Sequence, residues 1–327
     1  MAEATEGYWI GFDLGGTKML AAAFDDDWTI IGRRRRKTKG REGSDSGIER
    51  IGSTIERLMS ENDLSPDNLL GIGIGCPGPV DLNNGAILTT PNLGWDDVKV
   101  GDFLKQTFGC PAVVLNDVDA GLYGEYCFGA AKQSRCSVGL FPGTGVGGAC
   151  VYEGAILQGD GISCMEIGHT RISSSTRASG IKMTGTLEAE ASRLSIAAEA
   201  AKAVYRGDAP ILAEIAGTDL SDIRSGAISE AVARGDKSIK RLVVEAAETI
   251  GFGVVNVIHM LCPDTIVLGG GLVEAMEDLI CKTVEDHAKN HVMSVYRDRF
   301  KVVAAKLGDD AGVQGAAAWA RKKIEPV

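Results

Sequence analysis

The sequence has no continuous apolar run of about 20 residues, the length that crosses a bilayer. Its first residues have neither the basic charge nor the apolar stretch of a signal peptide. Its eight cysteines are scattered, and no two of them form a Cys-x-x-Cys pair, which argues against disulfides and a zinc cluster. These absences predict a cytoplasmic protein whose cysteines are small buried residues in a reducing compartment.

Positive charge is also scarce. The formal net charge is −10, which opposes binding to nucleic acid. One basic run, residues 33–41, is interpreted as a solvated edge strand or loop, although a phosphate patch is the alternative. The apolar fraction of 44% and the charged fraction of 24% are those of an ordinary globular protein. We therefore expect neither nucleic acid nor a membrane as a partner.

The sequence does contain a repeat of two glycine-rich hairpins. Residues 9–24 align with residues 137–152, so that Gly15 matches Gly143. A second glycine signal follows each hairpin, at residues 70–78 and 265–271. Because the order repeats, the pattern predicts a duplicated domain, and 327 residues suffice for two cores of roughly 150 residues each.

Apolar periodicity predicts strands that alternate with helices in each half, which favours an α/β fold with helix-covered sheets. Strands are predicted near residues 28–34, 70–75, 112–115, 265–268 and 300–304, and helices near 46–60, 117–128, 239–258, 272–290 and 311–322. Residues 159–193 are rich in Ser, Thr and Gly, which is typical of a functional or mobile loop.

Three glycine turns are candidates for phosphate binding, because glycine lets the backbone approach phosphate closely and its amides donate to the oxygens. None is a GxxxxGK[ST] P-loop. Asp13 precedes the first turn and is placed to hold Mg²⁺ or its water. The third turn either binds the adenosine side of a nucleotide or only packs a helix start. The candidate residues are Gly15, Gly16, Thr17 and Lys18, then Gly143, Thr144 and Gly145, then Gly269, Gly270 and Gly271.

Polar side chains outside these turns are candidates for the chemistry. Asp117 comes at the end of a predicted strand, where it either caps the next helix or takes a proton from a hydroxyl that attacks phosphorus. Glu166, His169 and Glu188 frame the polar insertion, and such groups recognise sugar hydroxyls in fixed directions. Asn92 lies in a turn where its amide can bond a hydroxyl.

With these motifs assembled, the chain resembles the ROK family of sugar kinases and sugar-responsive repressors, from Tyr8 to the last helix. The motifs that carry the resemblance, in the family's order, are residues 13–18, 75–78, 92–95, 115–117 with Gly124 and Glu125, 143–148, 166–169, 187–188 and 307–312.

The resemblance implies an actin-like, Hsp70-like ATPase fold of duplicated ribonuclease H-like units, with two lobes and a central cleft. Residues 1–118 and 305–327 would form the N-terminal lobe, which binds sugar and phosphate. Residues 119–304 would form the nucleotide-binding C-terminal lobe, whose insertion 159–193 contacts the sugar. A homodimer is also implied by kinship.

The implied activity is transfer of the γ-phosphoryl group of ATP to the 6-hydroxyl of a hexose, with glucose favoured. Asp117 would be the general base and Mg²⁺ would bind near Asp13. The implied sugar-binding residues are Gly75, Pro77, Asn92, Asn116, Asp117, Glu166, His169 and Glu188.

One departure from the family concerns zinc. The family usually follows Glu-x-Gly-His with a CxCGxxGC motif, but here Ser179, Ile181 and Thr186 stand at the three cysteine positions. A tetrahedral zinc site needs such thiolates, so no structural zinc is predicted. Without the metal, the position of His169 must be fixed in another way.

Several alternatives remain open at this point. The alternative acceptors are an N-acetylhexosamine, mannose and fructose, and the alternative donor is polyphosphate. The lost cysteines also suit a non-catalytic sugar-binding protein. A repressor of the same family would carry a helix-turn-helix before the first hairpin, where this sequence has about seven residues.

Overall fold

The structure is a computed structural model that describes residues 7–90 and 92–325. Its strands are β1 (Tyr8–Leu14), β2 (Lys18–Phe24), β3 (Ile30–Lys37), β4 (Leu69–Cys76), β5 (Val80–Asp81), β6 (Ala86–Thr90), β7 (Trp95–Val98), β8 (Ala112–Asn116), β9 (Cys136–Pro142), β10 (Val146–Tyr152), β11 (Ala155–Ile156), β12 (Thr265–Leu268) and β13 (Lys301–Ala304).

The helices are α1 (Ser44–Glu61), α2 (Val100–Phe108), α3 (Asp117–Phe128), α4 (Leu187–Ala191), α5 (Arg193–Tyr205), α6 (Pro210–Ala216), α7 (Ser225–Ala233), α8 (Lys237–Leu261), α9 (Gly271–Ala275), α10 (Glu277–His291) and α11 (Ala311–Ile324). Short 3-10 turns lie between several of these elements.

The chain forms two compact units. Unit 1 comprises the described residues up to Lys132, the segment Ala155–Met165, and the described residues from Asp309 onward. Unit 2 comprises Gln133–Gly154 and Glu166–Gly308. The lobe boundaries expected from the sequence stay a prediction.

Unit 1 is built on a sheet of order β3-β2-β1-β4-β8. The first three strands are antiparallel neighbours, whereas β1, β4 and β8 run parallel. The arginine run lies in β3 at the edge of this sheet, as the sequence predicted, and its side chains pair with acids. Arg33 bonds Asp310 and Arg34 bonds Glu61 at 2.7 and 2.5 Å.

Helix α11 packs on β1, β4 and α3 at very short range because glycines leave room for its backbone. A Cβ on Gly11 would lie 1.8 Å from the Val313 carbonyl oxygen, and one on Gly315 would lie 1.8 Å from that of Ala120. No side chain fits at either place. These glycines therefore fix the helices against the parallel strands whose carboxyl ends carry the site.

Unit 2 repeats the order of unit 1. Its sheet contains β10-β9-β12-β13, where β9 and β10 form an antiparallel hairpin and β9, β12 and β13 run parallel. The hairpin β9–β10 corresponds to β1–β2, and β12 and β13 correspond to β4 and β8. The predicted duplication and the α/β fold class are therefore confirmed.

A second, three-stranded sheet of order β5-β6-β7 and helix α2 complete unit 1, and the sequence reading did not predict either of them. In the described part of the hairpin β6–β7, the Leu93 and Gly94 amides donate to the Thr90 carbonyl. Below it, Trp95 is buried and its indole donates to the Gly40 carbonyl at 3.2 Å. This packing places the Asn92 turn.

Three expectations need correction. Helix α8 is long and apolar enough to cross a membrane by length and composition alone, although 56% of its most apolar window is buried against neighbours such as α10 and α5. The single helix predicted over 272–290 is broken at Met276, whose φ of −145° is not helical. Cys262 is exposed rather than buried, because it forms the left-handed cap that ends α8.

Candidate active site

The first glycine turn joins β1 to β2 and leaves its backbone open. Gly16, Thr17 and Lys18 are exposed. The turn is held from beneath by Thr38, whose amide donates to the Thr17 carbonyl at 2.9 Å and whose hydroxyl donates to the Gly15 carbonyl at 2.6 Å. The carbonyls are thus satisfied from below, while the outer surface of the turn is left to a ligand.

Three candidate positions meet at the carboxyl ends of adjacent parallel strands. Asp13 in β1 pairs with Gly75 in β4, and Gly75 pairs with Leu115 in β8. Asn116 ends β8 and Asp117 begins α3 directly after it. A Cβ on Gly75 would lie 3.3 Å from the Asp117 Cα atom. In open α/β sheets this edge is where ligands bind.

The helix start fixes the orientation of two of these side chains. The Asn116 carboxamide oxygen caps α3 by accepting from the Val118 amide at 2.8 Å, and its NH₂ group donates to the Gly78 carbonyl at 3.1 Å. The Asp117 carboxylate accepts from the same Val118 amide at 2.9 Å. The structure thus gives the helix cap to Asn116 rather than to Asp117, and the catalytic role of Asp117 stays a prediction.

Carboxylate charge is concentrated at this edge. Burial raises the pKa of the Asp13 carboxyl to about 6, with the negative charge of Asp309 acting in the same direction and Arg35 opposing it. Burial also holds the pKa of the Cys76 thiol well above its usual range, and the charges of Asp117 and Asp13 add to that shift. The negative charges of Asp13 and Asp117 therefore both act on the Cys76 thiol, which is buried in the sheet.

The Asp13 site fits a hard divalent cation. Oxygen atoms of carboxylates and phosphates are the ligands that Mg²⁺ prefers, and Mg²⁺ keeps few protein ligands of its own. A cation would also counter the burial and the repulsion from Asp309 that raise the Asp13 pKa.

The remaining sugar candidates of unit 1 lie on nearby turns. Asn92 is exposed, and a Cβ on Gly16 would lie 3.8 Å from the Asn92 Cβ atom, so Asn92 sits beside the first glycine turn. Pro77 is half-buried and precedes Gly78, whose φ of +83° allows its carbonyl to bond Asn116.

Unit 2 brings Glu166, His169 and Glu188 together. The His169 Nε2 atom lies 3.9 Å from Glu166 Oε2. Burial raises the pKa of the Glu166 carboxyl, with Glu188 adding to the shift and His169 opposing it. The buried His169 Nδ1 atom has no hydrogen-bond partner among residues 7–90 and 92–325. The three residues thus form one polar cluster with unused bonding capacity.

Two side chains from later in the chain, those of Glu188 and Arg193, bond to the second glycine turn, between β9 and β10. The Glu188 carboxylate accepts from the Val146 amide at 3.1 Å, and a Cβ on Gly145 would lie 2.2 Å from it. Arg193 donates from its guanidinium to the Thr144 hydroxyl at 3.2 Å and from its amide to the Gly143 carbonyl at 2.9 Å. Glu188 therefore links the polar cluster to this turn.

Arg193 is the residue that the sequence reading missed. It forms no ion pair within the described part of the chain, so the positive charge at this turn has no carboxylate partner. Its signal in the sequence is weak, because a lone arginine at a helix start belongs to no motif. An unpaired guanidinium beside a half-buried glycine turn with an exposed threonine is suited to phosphate.

The third turn follows β12. Gly270 has a φ of +90°, and Gly271 begins α9. A Cβ on Gly269 would lie 2.5 Å from the Phe141 ring, so this glycine is required for packing. Gly269 therefore serves the packing of this turn against β9, and nucleotide binding here remains a prediction.

The three positions of the absent zinc motif do not fit a zinc ion. Ile181 is apolar and 45% exposed, and the Thr186 hydroxyl caps α4 by accepting from the Ala189 amide at 3.2 Å. Within the described ranges no group of three or more His, Cys, Asp or Glu side chains is placed to hold a metal ion. Cys164 instead donates to the Leu157 carbonyl at 3.2 Å within unit 1.

A duplicated α/β chain with a glycine hairpin in each half and an aspartate after the third parallel strand defines the class of actin-like ATPase folds. The ROK family model matches residues 9–323. The chain belongs to the ROK family.

Curated relatives and solved structures agree with this assignment. A glucokinase of Thermotoga maritima is 29% identical over 96% of this chain and 98% of its own length. A glucokinase of Halalkalibacterium halodurans is 30% identical over 97% of this chain and 96% of its own. An N-acetyl-D-glucosamine kinase of Photobacterium profundum is 28% identical over 94% of this chain and 97% of its own.

Among solved structures, a ROK family glucokinase of Streptomyces griseus in complex with glucose and AMPPNP superimposes with a TM-score of 0.83 at 28% identity, over 97% of this chain and all of that one. The predicted actin-like fold and the resemblance to ROK sugar kinases are confirmed.

Proposed function

We propose that this ROK family sugar kinase transfers the γ-phosphoryl group of ATP to the 6-hydroxyl of a hexose, with glucose as the favoured acceptor. The observation that carries the proposal is the edge formed by Asp13, Gly75 and Asp117 at the ends of three adjacent parallel strands. The glucokinase relatives support the choice of sugar, and the complex with AMPPNP supports the choice of donor.

In the proposed reaction Asp117 is the general base. Its carboxylate accepts the proton of the 6-hydroxyl while that oxygen forms a bond to the γ-phosphorus. The bond from the γ-phosphorus to the β–γ bridging oxygen breaks, and ADP leaves with that oxygen. The bond from the Val118 amide, 2.9 Å long, holds the carboxylate in one orientation, and such positioning is most of what phosphoryl transfer asks of a protein.

The donor phosphates would meet glycine amides and cationic side chains. Thr17 and Lys18 of the first turn are exposed, and Arg193 supplies an unpaired guanidinium at Thr144. We assign Asp13 to the Mg²⁺ that accompanies ATP. When bound, this ion would neutralise phosphate charge.

Polar side chains are the proposed ligands of the hexose. Asn92 in unit 1 is exposed, and Glu166 and His169 in unit 2 keep free bonding capacity. Asn116 acts mainly as a support, because its carboxamide already bonds the α3 amides and the Gly78 carbonyl. We also propose Gly75 and Pro77 as backbone contacts of the sugar.

A coupled ADP-release assay with Mg·ATP tests the proposal against glucose, mannose, fructose and N-acetylhexosamines. The expected result is glucose-dependent ADP formation that the Asp117→Asn variant loses while it still binds glucose by calorimetry. Turnover with only an N-acetylhexosamine would correct the acceptor. Turnover only with polyphosphate would correct the donor, and binding without turnover under every condition would identify a sugar-binding protein.

We further propose a cytoplasmic location and a homodimeric state. Cell fractionation tests the first, and light scattering coupled to size-exclusion chromatography tests the second.

A further inference from the structure

We propose that an ionic clamp formed by Arg177, Glu190 and Glu199 holds residues 166–193, the part of the insertion that lies in unit 2, in place without a metal, and that it positions His169 and Glu188. The ordering part of this inference stands on the contacts below. The positioning part rests on the proposed hexose kinase function.

The clamp joins the tip of the insertion to two helices. One guanidinium nitrogen of Arg177 bonds Glu190 of α4 at 3.0 Å, and another bonds Glu199 of α5 at 3.1 Å. The other Glu190 oxygen accepts from the Ser173 hydroxyl at 3.1 Å. The Glu190 side chain is only 15% exposed, so its charge is compensated by these two partners rather than by bulk water.

The arms of the insertion are paired by the backbone between the clamp and the polar cluster. The Ile172 and Ser173 amides donate to the Gly185 carbonyl at 2.9 and 3.1 Å. The Gly185 amide in turn donates to the Arg177 carbonyl at 3.2 Å. Clamp and arms therefore form one connected set of bonds.

These connected bonds extend to two candidate sugar ligands, His169 before the insertion arms and Glu188 after them. The residue after His169 is Thr170, whose carbonyl accepts from the Leu187 amide at 3.0 Å. Leu187 begins α4, a helix of five residues that carries Glu188 toward the β9–β10 turn and Glu190 toward the clamp. Movement of α4 would displace Glu188 and the Leu187 amide that bonds Thr170 together.

This chain lacks the cysteine motif that usually follows Glu-x-Gly-His in the family. The clamp constrains the insertion in place of that motif. Ile181 and Thr186 cannot supply thiolates, and the hydroxyl of Thr186 is already used as a helix cap. Ion pairs and backbone bonds thus replace metal–thiolate bonds as the constraint on the insertion.

Hydrogen exchange of the amides in residues 172–186 tests the ordering part directly. We expect faster exchange in Arg177→Ala and in Glu190→Gln than in the wild type. The matched control is Lys182→Gln, which removes an exposed positive charge of the same insertion that forms no ion pair within the described residues, and it should leave exchange unchanged. Equal exchange in Arg177→Ala and wild type would overturn the clamp.

Steady-state kinetics test the positioning part. Arg177→Ala should raise the hexose KM by about tenfold and change kcat by less than about twofold, because binding groups shift while Asp117 stays in place. Arg177→Lys should recover part of the loss, since it keeps the charge but not the two-pronged geometry. Faster exchange with an unchanged hexose KM would show that the clamp orders the insertion without positioning the site.

Metal removal separates the clamp from a hidden zinc site. Zinc chelation of the wild type should alter neither exchange nor, after Mg²⁺ is restored, activity. One bound zinc per chain together with faster exchange after chelation would overturn the proposal. Failure of the proposed function is distinguishable, because a wild type inactive on every sugar would still give the exchange results.

Discussion

The two glycine turns share one backbone design but differ in what lies on them. The turn at Gly15 is fixed from below by Thr38 and presents exposed residues outward. At the turn that contains Gly143, the Glu188 carboxylate accepts a hydrogen bond from the Val146 amide, and the Arg193 guanidinium donates to the Thr144 hydroxyl. The repeat therefore preserved the hairpin and changed the side chains that reach it from elsewhere in the chain.

The strand edges beside the turns differ as well. In unit 1 the third parallel strand, β8, is followed at once by Asp117, whereas in unit 2 strand β13 ends at Ala304 and no carboxylate follows until Asp309. Only the first edge therefore has a carboxylate directly after its third parallel strand. Under the proposed function, this asymmetry would separate a half that performs proton transfer from a half that binds, and the predictions below test it.

The largest effect is expected from Asp117→Asn. Removing a general base lowers kcat by about 100- to 10,000-fold, and the hexose KM should change little because the amide keeps the shape of the side chain. The assay is sugar-dependent ADP release at saturating Mg·ATP. Asp102→Asn, at an exposed acid in the first turn of α2, is the control and should keep wild-type turnover. A near-native kcat in Asp117→Asn would remove the asymmetry between the two edges.

The second effect is that of replacing Asp13 by Asn, which should raise the stability of the protein and lower its activity. The pKa of its carboxyl is raised to about 6, above the value of about 3.9 in an unfolded chain. The folded state thus prefers the neutral carboxyl, and the stability that this form contributes is present below about pH 4 and lost as the pH rises through about 6.

The neutral variant Asp13→Asn should therefore be the more stable protein at pH 7.5. We expect its free energy of unfolding to exceed that of the wild type by on the order of 1–3 kcal/mol, with no difference near pH 3.5. Its turnover should fall, since Asn is a poorer ligand for Mg²⁺. Urea unfolding at the two pH values measures the first effect. A stability difference between variant and wild type that is equal at the two pH values would mean that the charge of Asp13 does not destabilise the folded state.

The sequence predicted the repeated architecture well, because its signals are local and strong. Glycines at fixed places in β1 and β9, and apolar strands that end in polar residues, indicate hairpins and parallel strands without any knowledge of packing. The positions of Asp13 and Asp117 follow from the same logic, since both stand at strand ends.

The parts that escaped prediction depend on distant contacts. Strands β5 to β7 have two to five residues each, too few for a periodic pattern. Met276 gives no helix-breaking signal, yet it separates α9 from α10. Arg193 and Glu188 reach the second turn only because α4 and α5 pack beside it, and that proximity is a property of the tertiary fold.

A third effect, of intermediate size, concerns Glu188, which belongs to both the polar cluster and the second turn. Glu188→Ala should raise the KM of the hexose and that of ATP by about tenfold each, because it removes a proposed sugar ligand and the carboxylate that orients the Val146 amide of the second turn. Glu166→Ala, at the other end of the cluster, should raise only the hexose KM. Measuring the KM of each substrate while the other is saturating separates the effect on the hexose from the effect on ATP. An unchanged ATP KM in Glu188→Ala would show that the carboxylate does not support the donor site.

The fourth effect is that of Arg193 on the donor. Arg193→Gln should raise the ATP KM by about fivefold, equivalent to about 1 kcal/mol, without changing the hexose KM, since a charge-assisted bond to phosphate is lost. Arg299→Gln, at another exposed arginine of unit 2, alters the net charge equally and serves as the control. Equal ATP KM values for the two variants would assign any effect to net charge alone.

The smallest effect compares the threonines of the two turns, and it tests whether they act independently of their neighbours. Thr144→Ala should raise the ATP KM about twofold and add nothing to Arg193→Gln, because the hydroxyl acts through the 3.2 Å bond that it accepts from Arg193. Thr17→Ala should instead combine additively with Arg193→Gln, since Thr17 lies on the other turn. A double-mutant cycle on the ATP KM measures both couplings. Additive behaviour of the Thr144 pair would mean that Arg193 and Thr144 reach the phosphates separately, so that the second turn works in the same way as the first.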